Sequence, residues 1–221
     1  MRVLVVAPHM DDEALGAGGV IARHVAEGDD VSVCFVAHRA YDHVFDEAKN
    51  KAERACALRA KSVLGYQDAV FLDLPDERLD LNIQQIIIGL EATTGPRPPD
   101  VVYLPHRGDN NQDHRAVFEA ARVAFRPSAT PRLRQLLCYE VPSSTDQSPP
   151  LPECAFLPNR YVNIAPFLER KLEAFRCYGT EQRPFPHPRS EQALTILAQR
   201  RGIASGFVAA EAFLILRDLH A

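Results

Sequence analysis

The chain predicts an α/β fold, a doubly wound and mainly parallel sheet with helices on both faces. Three observations carry that prediction. Short, β-branched apolar runs alternate with segments of helical apolar spacing through the first two thirds of the chain. The 221 residues suffice for one sizeable core and contain no run of 18 apolar residues for a membrane span. Two clusters of His and Asp directly follow apolar runs, at the strand carboxyl ends where open α/β sheets hold ligands.

The elements follow in order. Val3-Leu4-Val5-Val6-Ala7 reads as a buried strand over 2–7, followed by a helix over 13–27 that stops at Gly28. A strand over 31–37 precedes a long charged helix, 46–63, that ends at Gly65; most of its charges form a solvated face. A strand over 69–73 leads to a helix over 82–93. A strand over 101–104 leads to a helix over 114–125, and a strand over 135–141 follows. Right-handed crossovers would make these strands parallel. From Pro142 the chain turns polar and proline-rich, which predicts a lid or wall over the strand ends. Helices over 165–178 and 190–201 and a closing strand over 212–216 complete a single domain, 1–221. Its α/β core spans 1–141; the lid loop and C-terminal helices of 142–221 pack on it.

Composition excludes several classes. The net charge of −4 argues against a nucleic-acid or membrane-surface binder. The five cysteines are scattered, with no CxxC pair, as expected of reduced thiols in a cytoplasmic protein without a secretory signal. A homo-oligomer is left open. Gly16-Ala17-Gly18-Gly19 is no dinucleotide fingerprint, because Ile21 stands where its last glycine belongs and carboxylates precede it. Those small residues instead let the first helix pack close to the sheet.

The chemistry lies in the two clusters. His9-Met10-Asp11-Asp12-Glu13 crowds three carboxylates beside an imidazole, which calls for a cation or full solvation. The second cluster runs from His106 through Asp109, Asn111 and Asp113 to His114. One His and one Asp from the first loop plus a His from the second make three ligands, the open arrangement of catalytic zinc. Of the adjacent Asp11 and Asp12, one can bind metal while the other faces a bound water. Asp113 suits a supporting role, to His114 or a neighbouring loop group. Glu13 either orients the loop or begins the helix.

His9-Met10-Asp11-Asp12-Glu13 resembles the AHPDDE signature of the LmbE-like, or GlcNAc-PI de-N-acetylase (PIG-L), family. Asp109, Asn111, Asp113 and His114 resemble its second motif. Weaker likenesses at Tyr139-Glu140, Pro158-Asn159, His187-Pro188-Arg189-Ser190 and Ala210-Glu211-Ala212-Phe213 extend over nearly the whole chain. The resemblance implies a Rossmann-like fold and zinc-dependent removal of an N-acyl group, N-acetyl above all, from an amino sugar or sugar conjugate. One zinc, or another divalent ion, would sit on His9, Asp12 and His114, with Asp11 as general base. Met10 replaces the family's usual proline. Asn111 stands where many members carry a histidine, and asparagine cannot shuttle a proton. His187, held between Pro186 and Pro188, is the candidate for the missing imidazole, with Arg189 as a substrate contact and His106 as the competing imidazole. Two rivals stay open: a non-catalytic metal protein, and a metal-dependent phosphoesterase using Arg107, Arg115 and Arg189.

Overall fold

The computed structural model describes residues 1–41, 43–95 and 98–219. Seven strands form one sheet. They are β1 (Arg2–Ala7), β2 (Asp30–His38), β5 (Asp68–Pro75), β6 (Val101–Pro105), β7 (Gln135–Tyr139), β8 (Arg160–Asn163) and β9 (Ala210–Asp218). Their spatial order is β5-β2-β1-β6-β7-β9-β8. The first five pair in parallel, and β9 runs antiparallel to both β7 and β8. A two-stranded hairpin, β3 (Ala40–Tyr41) with β4 (Val44–Phe45), follows β2.

The helices are α1 (Asp12–Ala26), α2 (Glu47–Leu64), α3 (Ile83–Thr94), α4 (Gln112–Ala124), α5 (Leu168–Arg176) and α6 (Glu191–Ile203). Strand periodicity sorts the core into two layers. Val3, Val5 and Ala7 of β1 pack with α1, α2, α5 and α6, while Leu4 and Val6 pack with α3 and α4. Gly65 caps α2 at φ 84°, a left-handed conformation that favours glycine. Gly16 in α1 permits a close approach, since a Cβ there would lie 2.2 Å from the Tyr139 ring.

Differences from the sequence reading lie in the last third. β8 has four residues and no strong alternation, so it reads as loop. The closing strand expected over 212–216 is β9, and the segment predicted as lid and helices also supplies β8, which was not expected. The expected helix over 165–178 opens with a 3₁₀ turn at Ala165–Phe167, where Pro166 removes a backbone donor. The hairpin at 40–45 was not expected. Of the cysteines, Cys34 and Cys138 are buried and three are half-buried; all five are free.

β1 lies between β2, reached through α1, and β6, reached later from the far edge of β2. That reversal is the crevice where doubly wound sheets bind ligands. The carboxyl ends of β1 and β6 feed the two His/Asp clusters into it.

Candidate active site

β1 ends at Ala7, and the chain turns through Pro8–Asp11 into α1. Asp11 is the helix N-cap and takes φ 139°, a region costly to a side chain by about 1–3 kcal/mol. That turn buries Asp11, Asp12 and Glu13 completely at the positive end of α1. The β6 loop delivers His114 in the first turn of α4.

The two loops meet. His9 Nδ1 lies 3.3 Å from Asp12 Oδ2, His114 Nε2 lies 3.2 Å from the same oxygen, and the two imidazole nitrogens are 3.3 Å apart. Three donors on a tetrahedral ion with bonds of about 2.0–2.1 Å have edges of roughly 3.3–3.4 Å, so the triangle fits zinc closely. Asp11 Oδ1 and Asp12 Oδ1 are buried and unpartnered among the described residues, as expected where a ligand completes the site.

Supporting groups orient both imidazoles. His9 Nε2 lies 3.0 Å from Asp76 Oδ1 and 3.1 Å from Asp113 Oδ2. His114 Nδ1 lies 3.3 Å from Asp109 Oδ2, which also accepts from the Thr145 hydroxyl at 2.6 Å. Ser144 donates to the other oxygen of Asp109. Of the two recipients the sequence left open for Asp113, the structure shows neighbouring-loop groups, among them His9 across the site, while Asp109 lies beside His114. Two further donor groupings exist, His9–Asp76–Asp113 and His24–Glu27–Asp29. In the first, Asp113 already accepts the Glu77 and Leu79 N–H groups at 2.7 and 3.1 Å, which marks it as an orienting carboxylate. In the second, Glu27 pairs with Arg23 and Asp29 binds the N-terminal amine.

Electrostatics separate the three carboxylates. The flanking imidazoles hold Asp12 well below the usual carboxylate range, against its burial. Burial raises Asp11 to about 7, opposed chiefly by the Arg189 guanidinium. Burial raises Glu13 to about 8. Glu13 proves both helix-starting and loop-orienting. Its Oε2 accepts the Asp11 N–H at 3.2 Å and its Oε1 accepts the Tyr178 hydroxyl at 2.6 Å. The aspartates around the imidazoles raise His114 to about 9 and His9 well above its ordinary value, each against its burial.

The expected third segment does reach the site, through a different residue. Arg189 Nη1 donates to Asp11 Oδ2 at 3.0 Å and to Glu181 Oε2 at 2.5 Å, while Nε donates to Ser143 Oγ at 2.7 Å. Among the described residues His187 makes no hydrogen bond or ion pair with His9, Asp11, Asp12 or His114. Its Nδ1 accepts the Arg189 N–H at 3.0 Å and so braces that arginine. His106 Nε2 donates to the Cys154 carbonyl at 3.1 Å. Asn111 is the α4 N-cap, its side-chain oxygen accepting the Asp113 N–H at 2.8 Å. Arg115 binds the Asp109 and Asn110 carbonyls, and Arg107 is exposed; of the three arginines, Arg189 is the one hydrogen-bonded to Asp11 among the described residues. Asp76, Glu181 and Tyr178 escaped the sequence reading, since nothing local marks them.

Comparison with known proteins places the chain by sequence and by fold. The uncharacterized deacetylase YaiS of Escherichia coli (strain K12) is 30% identical over 149 residues, covering 64% of this chain and 75% of that protein. The N,N'-diacetylchitobiose deacetylase of Pyrococcus horikoshii shares the fold with a TM-score of 0.74 at 21% identity, over 98% of this chain and 84% of that one. So does GalB, the 4-carboxy-2-hydroxymuconate hydratase of Pseudomonas putida KT2440, with a TM-score of 0.72 at 21% identity over 100% and 98%. A hydratase on this fold means that architecture does not choose the reaction; the site must. The GlcNAc-PI de-N-acetylase family model matches residues 4–125, more than half of the chain. By that match and by its relative, the chain belongs to the GlcNAc-PI de-N-acetylase (PIG-L) family of deacetylases.

Proposed function

We propose that the protein is a metal-dependent hydrolase that removes an N-acetyl group from an amino sugar or sugar conjugate. The observation that carries this reading is the donor triangle of His9, Asp12 and His114 with the buried, unpartnered Oδ1 of Asp11 beside it. Family membership supports it, as does the action of the Pyrococcus relative on N,N'-diacetylchitobiose.

His9, Asp12 and His114 would hold one divalent ion, and two imidazoles with one carboxylate favour zinc. Bound there, such an ion supplies Lewis acidity, polarising an acyl carbonyl and lowering the pKa of a water. The remaining work falls to side chains. Asp113, Asp76 and Asp109 fix the tautomers of the two imidazoles so that Nδ1 of His9 and Nε2 of His114 face the triangle. Asp11 accepts the proton of the attacking water and returns it to the leaving amine, a task for which a pKa of about 7 is well matched. Arg189 holds Asp11 ionised near neutral pH and orients its carboxylate. Glu13 and Tyr178 fix the Asp11 backbone in its strained turn.

No helix of the described residues is long and apolar enough to cross a membrane. The enzyme acts on a small molecule as a single-domain protein, and its five free thiols, two of them buried, suit a reducing cytoplasm. The test is release of acetate and a free amine from N-acetylated sugars and their conjugates. The Asp11→Asn protein should keep its metal and lose about 10²–10⁴ in kcat. Undiminished kcat with metal bound would move the base elsewhere. Silence on a broad panel of acylated sugars, with sustained phosphatase activity, would replace the reading by phosphoester hydrolysis.

A further inference from the structure

We propose that a cavity at the opposite end of the sheet from the donor triangle binds a small phosphate ester that carries hydroxyl groups, a sugar phosphate above all. The cavity lies at the amino ends of the central strands, where Met1 precedes β1, Asp100 precedes β6 and Gln135 opens β7. The six residues of β1 separate it from the His9 loop, about 20 Å at roughly 3.3 Å per residue. Its volume is about 580 Å³, within the range of roughly 300–1,000 Å³ found for small-molecule sites. No residue of the reaction centre lines it, so the inference stands apart from the deacetylase reading.

Three guanidinium groups, those of Arg132, Arg134 and Arg160, line this cavity. Among the described residues none of the three side chains makes a hydrogen bond or an ion pair. The two carboxylates in the walls are engaged by other donors. Asp100 Oδ2 accepts the Arg2 N–H at 2.8 Å, and Asp218 Oδ1 accepts from Gln135 Nε2 at 3.0 Å. Three cations thus share one concave space in a chain whose net charge is −4. They repel one another until an anion sits among them. Guanidinium forks meet phosphate oxygens two at a time, which makes phosphate a better match than a point anion. The neighbouring carboxylates are acceptors only, so they suit hydroxyl donors and disfavour a bare polyanion. Buried Val101 and Leu133 give the cavity apolar wall as well. Phosphate, hydroxyls and a carbon skeleton together are what a sugar phosphate presents.

The arginines stand on pinned backbone. The Arg134 N–H donates to the Asp100 carbonyl at 2.8 Å, and the Arg134 carbonyl accepts the Leu219 N–H at 2.8 Å. Buried Leu133 anchors the same segment between Arg132 and Arg134. Arg160 opens β8, where it pairs with Phe213 of β9. Burial raises the Tyr103 phenol and the Arg160 charge opposes that rise, so this half-buried cation lies toward the sheet. A ligand therefore meets two exposed cations and one deeper one on a framework already in place, which limits the ordering cost of binding.

The test is calorimetric titration of the metal-loaded full chain with glucose 6-phosphate, inorganic phosphate and glucose. One glucose 6-phosphate per chain is expected, with a Kd below about 1 mM and at least about tenfold below that of inorganic phosphate. Glucose should not bind. Arg132→Gln and Arg160→Gln should each weaken glucose 6-phosphate at least about tenfold, as loss of a hydrogen bond to a charged group does. Affinity should also fall as salt rises from about 50 to about 500 mM. A bound metal ion can itself take phosphate, and the two arginine variants leave that centre untouched. A Kd that is unchanged in both variants would therefore place the phosphate on the metal and overturn the proposal. Absence of glucose 6-phosphate binding, or equal affinity for the ester and inorganic phosphate, overturns it as well. Arg132 is exposed, so Arg132→Gln decides the matter alone if Arg160→Gln fails to fold.

Discussion

Replacing Arg189 by Gln removes one positive charge and keeps a polar side chain beside Asp11. In the parent protein Nη1 lies 3.0 Å from Asp11 Oδ2, and Arg189 is the strongest influence opposing the burial that raises Asp11 to about 7. Glu181 also loses this cation, but Arg39 Nη2 still donates to its Oε1 at 2.6 Å, so the local structure keeps one clamp. A neighbouring opposite charge lowers a carboxyl by about 1–3 units, so its removal raises Asp11 by the same amount. The base must be ionised to work, and the acid limb of kcat/KM therefore moves to higher pH. For a two-unit rise the ionised fraction at about pH 7.5 falls from roughly three-quarters to roughly 3%, a loss of about 25-fold. Activity then recovers above about pH 9. A bound divalent cation lowers the carboxyl in both proteins alike, which moves these pH values and the pH of greatest loss downward together, so the displacement between the two acid limbs is the quantity tested. The assay is kcat/KM against pH from about 6 to 10 on proteins of equal metal content. A uniform loss at every pH with the acid limb unmoved would refute the assignment and put Arg189 on the substrate instead.

Four other outcomes are expected. Metal uptake should release protons, because the surrounding aspartates raise His114 to about 9 and His9 well above its ordinary value, each against its burial, and both must deprotonate to ligate. Affinity then falls by up to about two decades per pH unit as pH drops below those values; an unchanged Kd between about pH 6 and 8 rejects this. His114→Ala should lose most of its metal in elemental analysis. Lys171→Met strands the buried Glu211 carboxylate, now 2.6 Å from Lys171 Nζ, and leaves the Leu15 carbonyl without that donor. It should cost about 3–5 kcal/mol, or roughly 10 °C in melting temperature, with partial recovery on adding Glu211→Gln. His187→Ala should lower kcat less than about threefold if His187 only braces the Arg189 backbone. A loss above about 100-fold in kcat, with KM unchanged and one limb of the pH profile abolished, would return a proton-transfer role to His187.

The sequence by itself determined the strand–helix alternation, the crevice and the two clusters that bring His9, Asp12 and His114 together. Strand and helix periods are written in every few residues, as in Val3–Ala7 followed by the Asp12–Ala26 segment. Doubly wound topology then brings the ends of β1 and β6 together. His9, Asp12 and His114 were legible because each stands immediately after a strand or at a helix start. Asp113 had a legible kind of role and an illegible recipient, because which imidazole it reaches depends on how two loops interlock. Arg189 meets Asp11 across 178 positions of sequence, and Asp76, Tyr178 and Glu181 arrive from turns with no motif. β8 pairs only because β9 offers an antiparallel edge, and the left-handed φ of Asp11 follows from packing three carboxylates under α1. Local periodicity fixes where elements begin and end. Which buried charges meet, and hence which carboxylate stays protonated, is set by packing between segments far apart in the chain, and only the tertiary structure decides it.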